Sequence, residues 1–197
     1  MNDPGKTTLR FFAYIGGKIL AVLLALAFIV FAFFTAVNTM NVQVMLKDAF
    51  TLRSSVMLKQ SDNDDVELIS KVFSEEYIKK TGLTSQTDNR AYDVTNYNQD
   101  TGIEFRIVWP WDNEIKIEVT DIVDDVRATL VNDTVDEAQL KDKYLMDSGK
   151  YDVIVKKQDN GWIVEDMEFK EKIEPEVIFP LPTPKAASDE ASNDNEE

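Results

Sequence analysis

The stretch that decides the architecture is Ile19-Leu-Ala-Val-Leu-Leu-Ala-Leu-Ala-Phe-Ile-Val-Phe-Ala-Phe-Phe-Thr-Ala-Val37, with no charge, Pro or Gly, in which thirteen residues are Leu, Ile, Val or Phe. As a helix rising 1.5 Å per residue it covers ~28 Å, close to the ~30 Å of bilayer hydrocarbon. Each strongly apolar residue favours insertion by ~0.3–0.6 kcal/mol, and only Thr35 mildly opposes it. A soluble core helix would need a polar face, and this segment has none. A cleaved signal peptide shares the basic start at Lys6, Arg10 and Lys18. Its apolar region is shorter, however, and ends at a small-x-small site that Phe34-Thr35-Ala36-Val37-Asn38 does not supply cleanly. The expectation is an uncleaved transmembrane helix over 19–37.

Orientation follows from the flanks. Lys6, Arg10 and Lys18 precede the span, whereas the next basic residues after it are Lys47 and Arg53, which places residues 1–18 in the cytoplasm as a short tail. Phe11, Phe12 and Tyr14 then fall at the inner interface, where aromatic rings are favoured. A stripe of small residues, Gly17, Ala21, Ala25, Ala32 and Ala36, lies on roughly one helical face and would allow another helix to approach closely in lipid. Ala is also common in membrane helices with no such role.

After the span lie 18 of the 21 basic and 35 of the 36 acidic residues, a net charge of −17 for that part. Such a surface repels a phosphate backbone, so nucleic acid is excluded as a partner. It also repels anionic headgroups, so the outer domain is expected to stand off the bilayer. Cys and His are both absent. This rules out disulfides, Cys/His zinc sites and Ser-His-Asp or Cys-His nucleophiles, and leaves carboxylates, Lys and Tyr for any acid-base work. A disulfide-free outer domain is ordinary on a Gram-positive cell surface. Asn132-Asp133-Thr134 fits a glycosylation acceptor, a motif short enough to recur by chance.

Downstream, Val42, Met45, Ala49, Leu52 and Val56 recur at steps of three and four and predict an amphipathic helix to Gln60, with no Gly or Pro to separate it from the span. A second helix is predicted from Asp64 to about Lys80, closed by Gly82. Asp62-Asn63-Asp64-Asp65 resembles the opening of a calcium loop, but Val66 and Glu67 break that pattern and the run reads as a helix start. The period then becomes two: Ile103, Phe105, Ile107 and Trp109, followed by Ile115, Ile117 and Val119, predict a hairpin with one buried face. A further strand is predicted over Val126 to Val131, and a short helix or loop over Asp133 to Lys141. Asn160-Gly161 predicts a type I′ turn between Tyr151–Lys157 and Trp162–Phe169. From residue 173 a Pro-rich run leads to an acidic tail, expected to be disordered; within it Leu181-Pro182-Thr183-Pro184 reads as a spacer.

The fold class is therefore α+β: one transmembrane helix, then two helices on a curved antiparallel sheet over 42–172. That order, with the closing hairpin Tyr151-Asp-Val-Ile-Val-Lys-Lys-Gln-Asp-Asn-Gly-Trp-Ile-Val-Glu-Asp-Met, resembles the NTF2-like, or cystatin-like, superfamily. The topology of short inner tail, single span and outer domain is similar to VirB8-type subunits of conjugation and secretion machines. The superfamily resemblance implies an apolar cone that serves variously as enzyme, ligand pocket or assembly module.

A catalytic cone would need a carboxyl with a raised pKa. Asp121, Asp124, Asp125, Tyr92 and Tyr97 are the available groups, each expected on the solvated surface. Trp109-Pro110-Trp111 is the strongest interaction candidate, with Trp109 expected in the core and Trp111 left undetermined between a packed position and an exposed one facing a partner. The leading expectation is a non-enzymatic interaction or assembly module of a bacterial envelope, without cofactor or metal, that binds protein partners or its own copies. A ligand-binding sensor domain is the alternative, and a membrane-tethered isomerase or hydrolase is a third reading.

Overall fold

The structure, a computed structural model, describes residues 4–58, 63–83, 91–131 and 145–182. Its first element, α1 (Pro4–Leu58), is a single helix of 55 residues. The expected span and the amphipathic segment after it are one uninterrupted rod, long and apolar enough to cross a membrane. The side chains change environment along it: Ile19 to Val30 are exposed, whereas Val42, Leu46, Ala49 and Phe50 are buried in the domain. Nothing between Val37 and Leu58 favours a break, since no Gly or Pro occurs there.

The predicted second helix is divided into α2 (Asn63–Val72) and α3 (Glu75–Thr81). The division is made by Phe73 and Ser74, which join a strand edge: Phe73 bridges Val164, and the Ser74 N–H donates to the Val164 carbonyl at 2.9 Å. Ser74 Oγ then caps α3 by accepting from the Tyr77 N–H, and Gly82 ends it at φ 62°. Carboxylates at Glu75 and Glu76 and ammonium groups at Lys79 and Lys80 match the dipole of this short helix.

Four strands follow, β1 (Tyr92–Ile103), β2 (Glu114–Leu130), β3 (Gly149–Gln158) and β4 (Gly161–Lys172), in an antiparallel sheet of order β1-β2-β3-β4. The central strand β2 is 17 residues long. Its first half pairs with β3 from Glu114↔Lys156 to Asp121↔Gly149, and β1 follows it from Val119 to Leu130. Asp125 bends it with φ 47°, a conformation Asp tolerates better than most residues. The strand expected at Val126 to Val131 is thus the far half of β2, which ends at Leu130.

Two strand readings are corrected. The strand that pairs with Val119 is the polar Tyr92–Ile103, and the residues after Ile103 leave the sheet once the Glu104 N–H has donated to the Glu118 carbonyl. The two-residue loop of the β3–β4 hairpin is Asp159-Asn160, because Gln158 pairs with Gly161. Asp125 is the one non-Gly residue with positive φ among the described residues, so the loop is not type I′, and Gly161 instead takes φ 132°.

One face of the sheet packs on the helices, with Ile115, Ile117, Val119, Val153, Val155 and Val164 against Phe50, Ile69, Phe73 and Tyr77. The other carries charge pairs such as Lys116 and Lys170 about Asp152, at 2.6 and 2.9 Å. Burial pushes the Tyr77 hydroxyl up to about 12. A second core gathers Leu58, Tyr92, Val94, Val123, Leu145 and Met146, and Leu181 packs on it. The run expected to begin the disordered tail therefore stays on the domain as far as residue 182: Val177 accepts a bond from the Asp125 N–H at 3.4 Å, and Arg127 lies over the Phe179 ring at 4.7 Å. The acceptor motif at 132–134, the 133–141 connection and the acidic tail from Ala186 lie outside the described residues.

Gly149 sits where a Cβ would overlap the Glu171 carbonyl and lie 2.6 Å from the Phe169 ring. Gly149→Ala is expected to cost ~1–3 kcal/mol through overpacking against backbone. Thermal unfolding of the full chain in detergent, read by near-UV circular dichroism, checks this; an unchanged midpoint would contradict the packing at that register.

Candidate functional site

Two constellations bring chemistry-bearing side chains together. The first lies where the apolar part of α1 meets the segment between β1 and β2. That segment lies outside the sheet, and its burial differs from that expected: Val108 is fully buried, whereas Phe105, Ile107 and Trp109 are exposed, as are Glu104 and Arg106. A hydrogen bond fixes this orientation, since the buried Val108 N–H donates to Thr39 Oγ1 at 3.0 Å. The chain then turns at Trp109-Pro110-Trp111-Asp112. Asp112 closes the turn by accepting from the Trp109 N–H at 2.9 Å and donating its own N–H to the Trp109 carbonyl.

The turn lays both indoles on the helix. Trp109 and Trp111 stack with centroids 5.6 Å apart, and each stacks on Phe31, at 5.8 and 5.5 Å. Trp109, expected in the core, is 39% exposed, and Trp111 is 65% exposed. The domain thus touches the apolar stretch of α1, to which Phe31 belongs. A groove of about 500 Å³ runs beside the contact between Phe28, Phe31, Ala32 and Ala36 of α1 and the Phe105–Trp109 segment. Of the small-residue stripe, Ala32 and Ala36 line this groove, whereas Gly17, Ala21 and Ala25 lie on the exposed length of α1 before it.

The second constellation is inside the domain. Asp121, expected on the surface, continues the inward alternation of Ile115, Ile117 and Val119 and is completely buried. Its Oδ1 accepts from Gln99 Nε2 at 2.7 Å and Thr101 Oγ1 at 3.0 Å, and its Oδ2 faces Arg53 Nη1 at 3.7 Å, an ion pair too long for a hydrogen bond. Arg53 also donates to Tyr151 Oη at 3.3 Å and lies over that ring. Burial pushes the Asp121 carboxyl up, opposed by the Gln99 bond and the Arg53 charge. Burial raises the Tyr151 hydroxyl as well, with Arg53 opposing.

The other acid-base candidates do not join this cluster. Tyr92 is buried in the second core and Tyr97 packs at its edge. Asp124 lines a small cavity beside Leu145 and Val177, and Asp125 pairs with Arg127 at 2.9 Å. Among the described residues no group of three or more His, Cys, Asp or Glu side chains could hold a metal ion. Arg53, Gln99 and Phe31 escaped the reading of the sequence. Arg53 left a signal there: it stands seven residues after Leu46, on the apolar face of α1. No protein-family model, curated protein or solved structure matches the chain.

Because the folded-state pKa of Asp121 is raised, its charge opposes folding above that pKa, and the opposition vanishes below the unfolded carboxylate range. Arg53→Ala removes the compensating cation from a wholly buried carboxylate and is expected to cost ~3 kcal/mol at neutral pH. The loss should shrink as the pH falls toward the carboxylate range, where protonation relieves the stranded charge. Unfolding midpoints of both forms at neutral and mildly acidic pH check this; an equal loss at the two would mean that Arg53 acts by packing alone.

Proposed function

We propose that the chain is a single-pass membrane protein of a bacterial envelope, with a cytoplasmic N-terminus, whose outer α+β domain is a non-enzymatic interaction or assembly module. The observation that carries this reading is the continuity of α1, which takes the apolar stretch into the domain core without a break. A module that must present a surface at a fixed height benefits from such a rod. The stacking of both indoles on Phe31 supports a retained anchor over a removed signal, since cleavage after Ala36 would strip the indoles of their partner. Lys6, Arg10 and Lys18 just before the span, and the lack of any basic residue between Val37 and Lys47, support the orientation.

The helices laid on a four-strand meander with a long bent β2 are consistent with an NTF2-like domain, and the overall topology with a place in a transfer or secretion complex. A ligand sensor or an enzyme would use polar groups facing a cavity. Here Gln99 and Thr101 bond Asp121 Oδ1 and Arg53 forms a long ion pair with Asp121, whose Oδ2 has no hydrogen-bond partner, inside the packed core rather than on a cavity wall. The apolar surface left on the outer domain includes Val177, Ile178 and Phe179, exposed by 38–45% near the bend of β2, a kind of patch that marks protein contacts.

In-cell crosslinking followed by affinity purification and mass spectrometry tests the proposal. A fixed set of envelope proteins, or further copies of the chain, should be recovered, and recovery should fall when Val177 and Ile178 are both replaced by Ser. Isolation of an uncrosslinked monomer alone would overturn it.

A further inference from the structure

We propose that the Trp109-Pro110-Trp111 turn and the groove beside it take phospholipid hydrocarbon of the outer leaflet, so that the domain is seated in the membrane surface as well as tethered to it. This rests on the single-pass reading above.

Depth is the first reason. Phe31 lies six residues before the end of the apolar stretch, ~9 Å along the helix axis, and helical side chains lean toward the N-terminus. Rings stacked on Phe31 therefore share the depth of the outer acyl chains whenever residues 19–37 fill the hydrocarbon. Sliding the span toward the N-terminus to clear the indoles would draw Lys18 into the apolar layer.

The second reason is chemical. Indoles combine a large apolar face with an N–H donor and concentrate at bilayer interfaces. Here two of them are held parallel by a Pro and by the Asp112 bonds, so little freedom is lost on insertion. Phe105 is 71% exposed and Ile107 46%, on the same side. The groove between them and α1 has its lower wall, Phe28, Phe31 and Ala32, on the span itself, so it opens directly onto lipid and suits an acyl chain.

The third reason is charge. Of the cations on the flanking segments, Arg106 Nη1 is engaged with the Lys116 carbonyl and Lys116 Nζ with Asp152. Attraction is thus apolar and needs no anionic headgroup.

Tryptophan quenching in vesicles tests this. The full chain carries three Trp, and Trp162 is in the core. The chain is reconstituted at high dilution in phosphatidylcholine brominated either high on the acyl chains or near their ends. It is measured as the native sequence and as Trp109→Phe/Trp111→Phe, so the difference isolates the turn without touching Trp162. A reporter, Leu24→Trp in the doubly substituted background, marks the span. The expected result is a loss of turn emission with bromine placed high on the chains, little loss to aqueous iodide, and quenching of the reporter by the deeper bromines. A quenched reporter with turn emission lost to iodide alone overturns the proposal and leaves the span in place. An unquenched reporter removes the single-pass reading and this proposal with it. Turn emission insensitive to both quenchers, with crosslinked dimers present, assigns the groove to a second copy and overturns the lipid assignment.

Discussion

Everything in this molecule depends on one helix that runs without a joint from an exposed apolar stretch into the core of a domain. Between Thr39 and Phe50, α1 changes from a rod with no polar face to the central support of a sheet. The change is made by burial of Val42, Leu46, Ala49 and Phe50 on one side only. Burying a large apolar side chain is worth ~1.5–3 kcal/mol, so this short run anchors the sheet to the rod by several kcal/mol. A flexible linker would leave the domain free to tumble. Instead its position and rotation are set by the helix, and the Thr39–Val108 bond fixes the segment between β1 and β2 that returns along it.

Farther along the rod the core is less economical. Arg53 and Asp121 bring opposite charges into an otherwise apolar interior; Gln99 and Thr101 bond Asp121 Oδ1 and Arg53 donates to Tyr151, while the facing Asp121 Oδ2 and Arg53 Nη1 have no hydrogen-bond partner. Buried pairs of this kind seldom add net stability, because desolvation cancels most of the attraction. Their position is informative. They join α1, β1, β2 and β3 at the point where β2 passes from β3 to β1, and so specify which strand lies over which turn of the helix. A charge that is tolerated only in one register discriminates against slipped registers, which apolar residues alone would not do.

Much of this was legible in the chain. The apolar run, the amphipathic continuation expected to Gln60 and the closing hairpin each carry a strong local pattern, and the structure has all three, the helix as far as Leu58 among the described residues. The failures have physical causes. Phe105, Ile107 and Trp109 alternate as a buried strand face does, but period two reports only an extended chain with one apolar side. It does not tell whether that side meets a core or the neighbouring apolar helix. β1 escaped notice because it is an edge strand with irregular register at Val94 to Asn98, and its exposed positions carry Asp, Asn and Thr. The break at Phe73-Ser74 depends on the edge of β4, which lies some ninety residues away and leaves no local mark beyond the Ser itself. Asp121 was assigned to solvent by residue type, although its place two residues after Val119 on the inward face pointed the other way.

The continuity of α1 is tested most directly by a distance measured along it. The chain has no Cys, so nitroxides can be placed at Leu26 and Asp48 alone, two exposed positions on nearly the same helical face. They are 22 residues apart, which in an unbroken helix is ~33 Å. Double electron–electron resonance on the full protein in lipid nanodiscs should give one narrow distribution centred near that value. A broad or markedly shorter distribution would mean that the helix breaks between the apolar stretch and the domain and that the two are merely tethered.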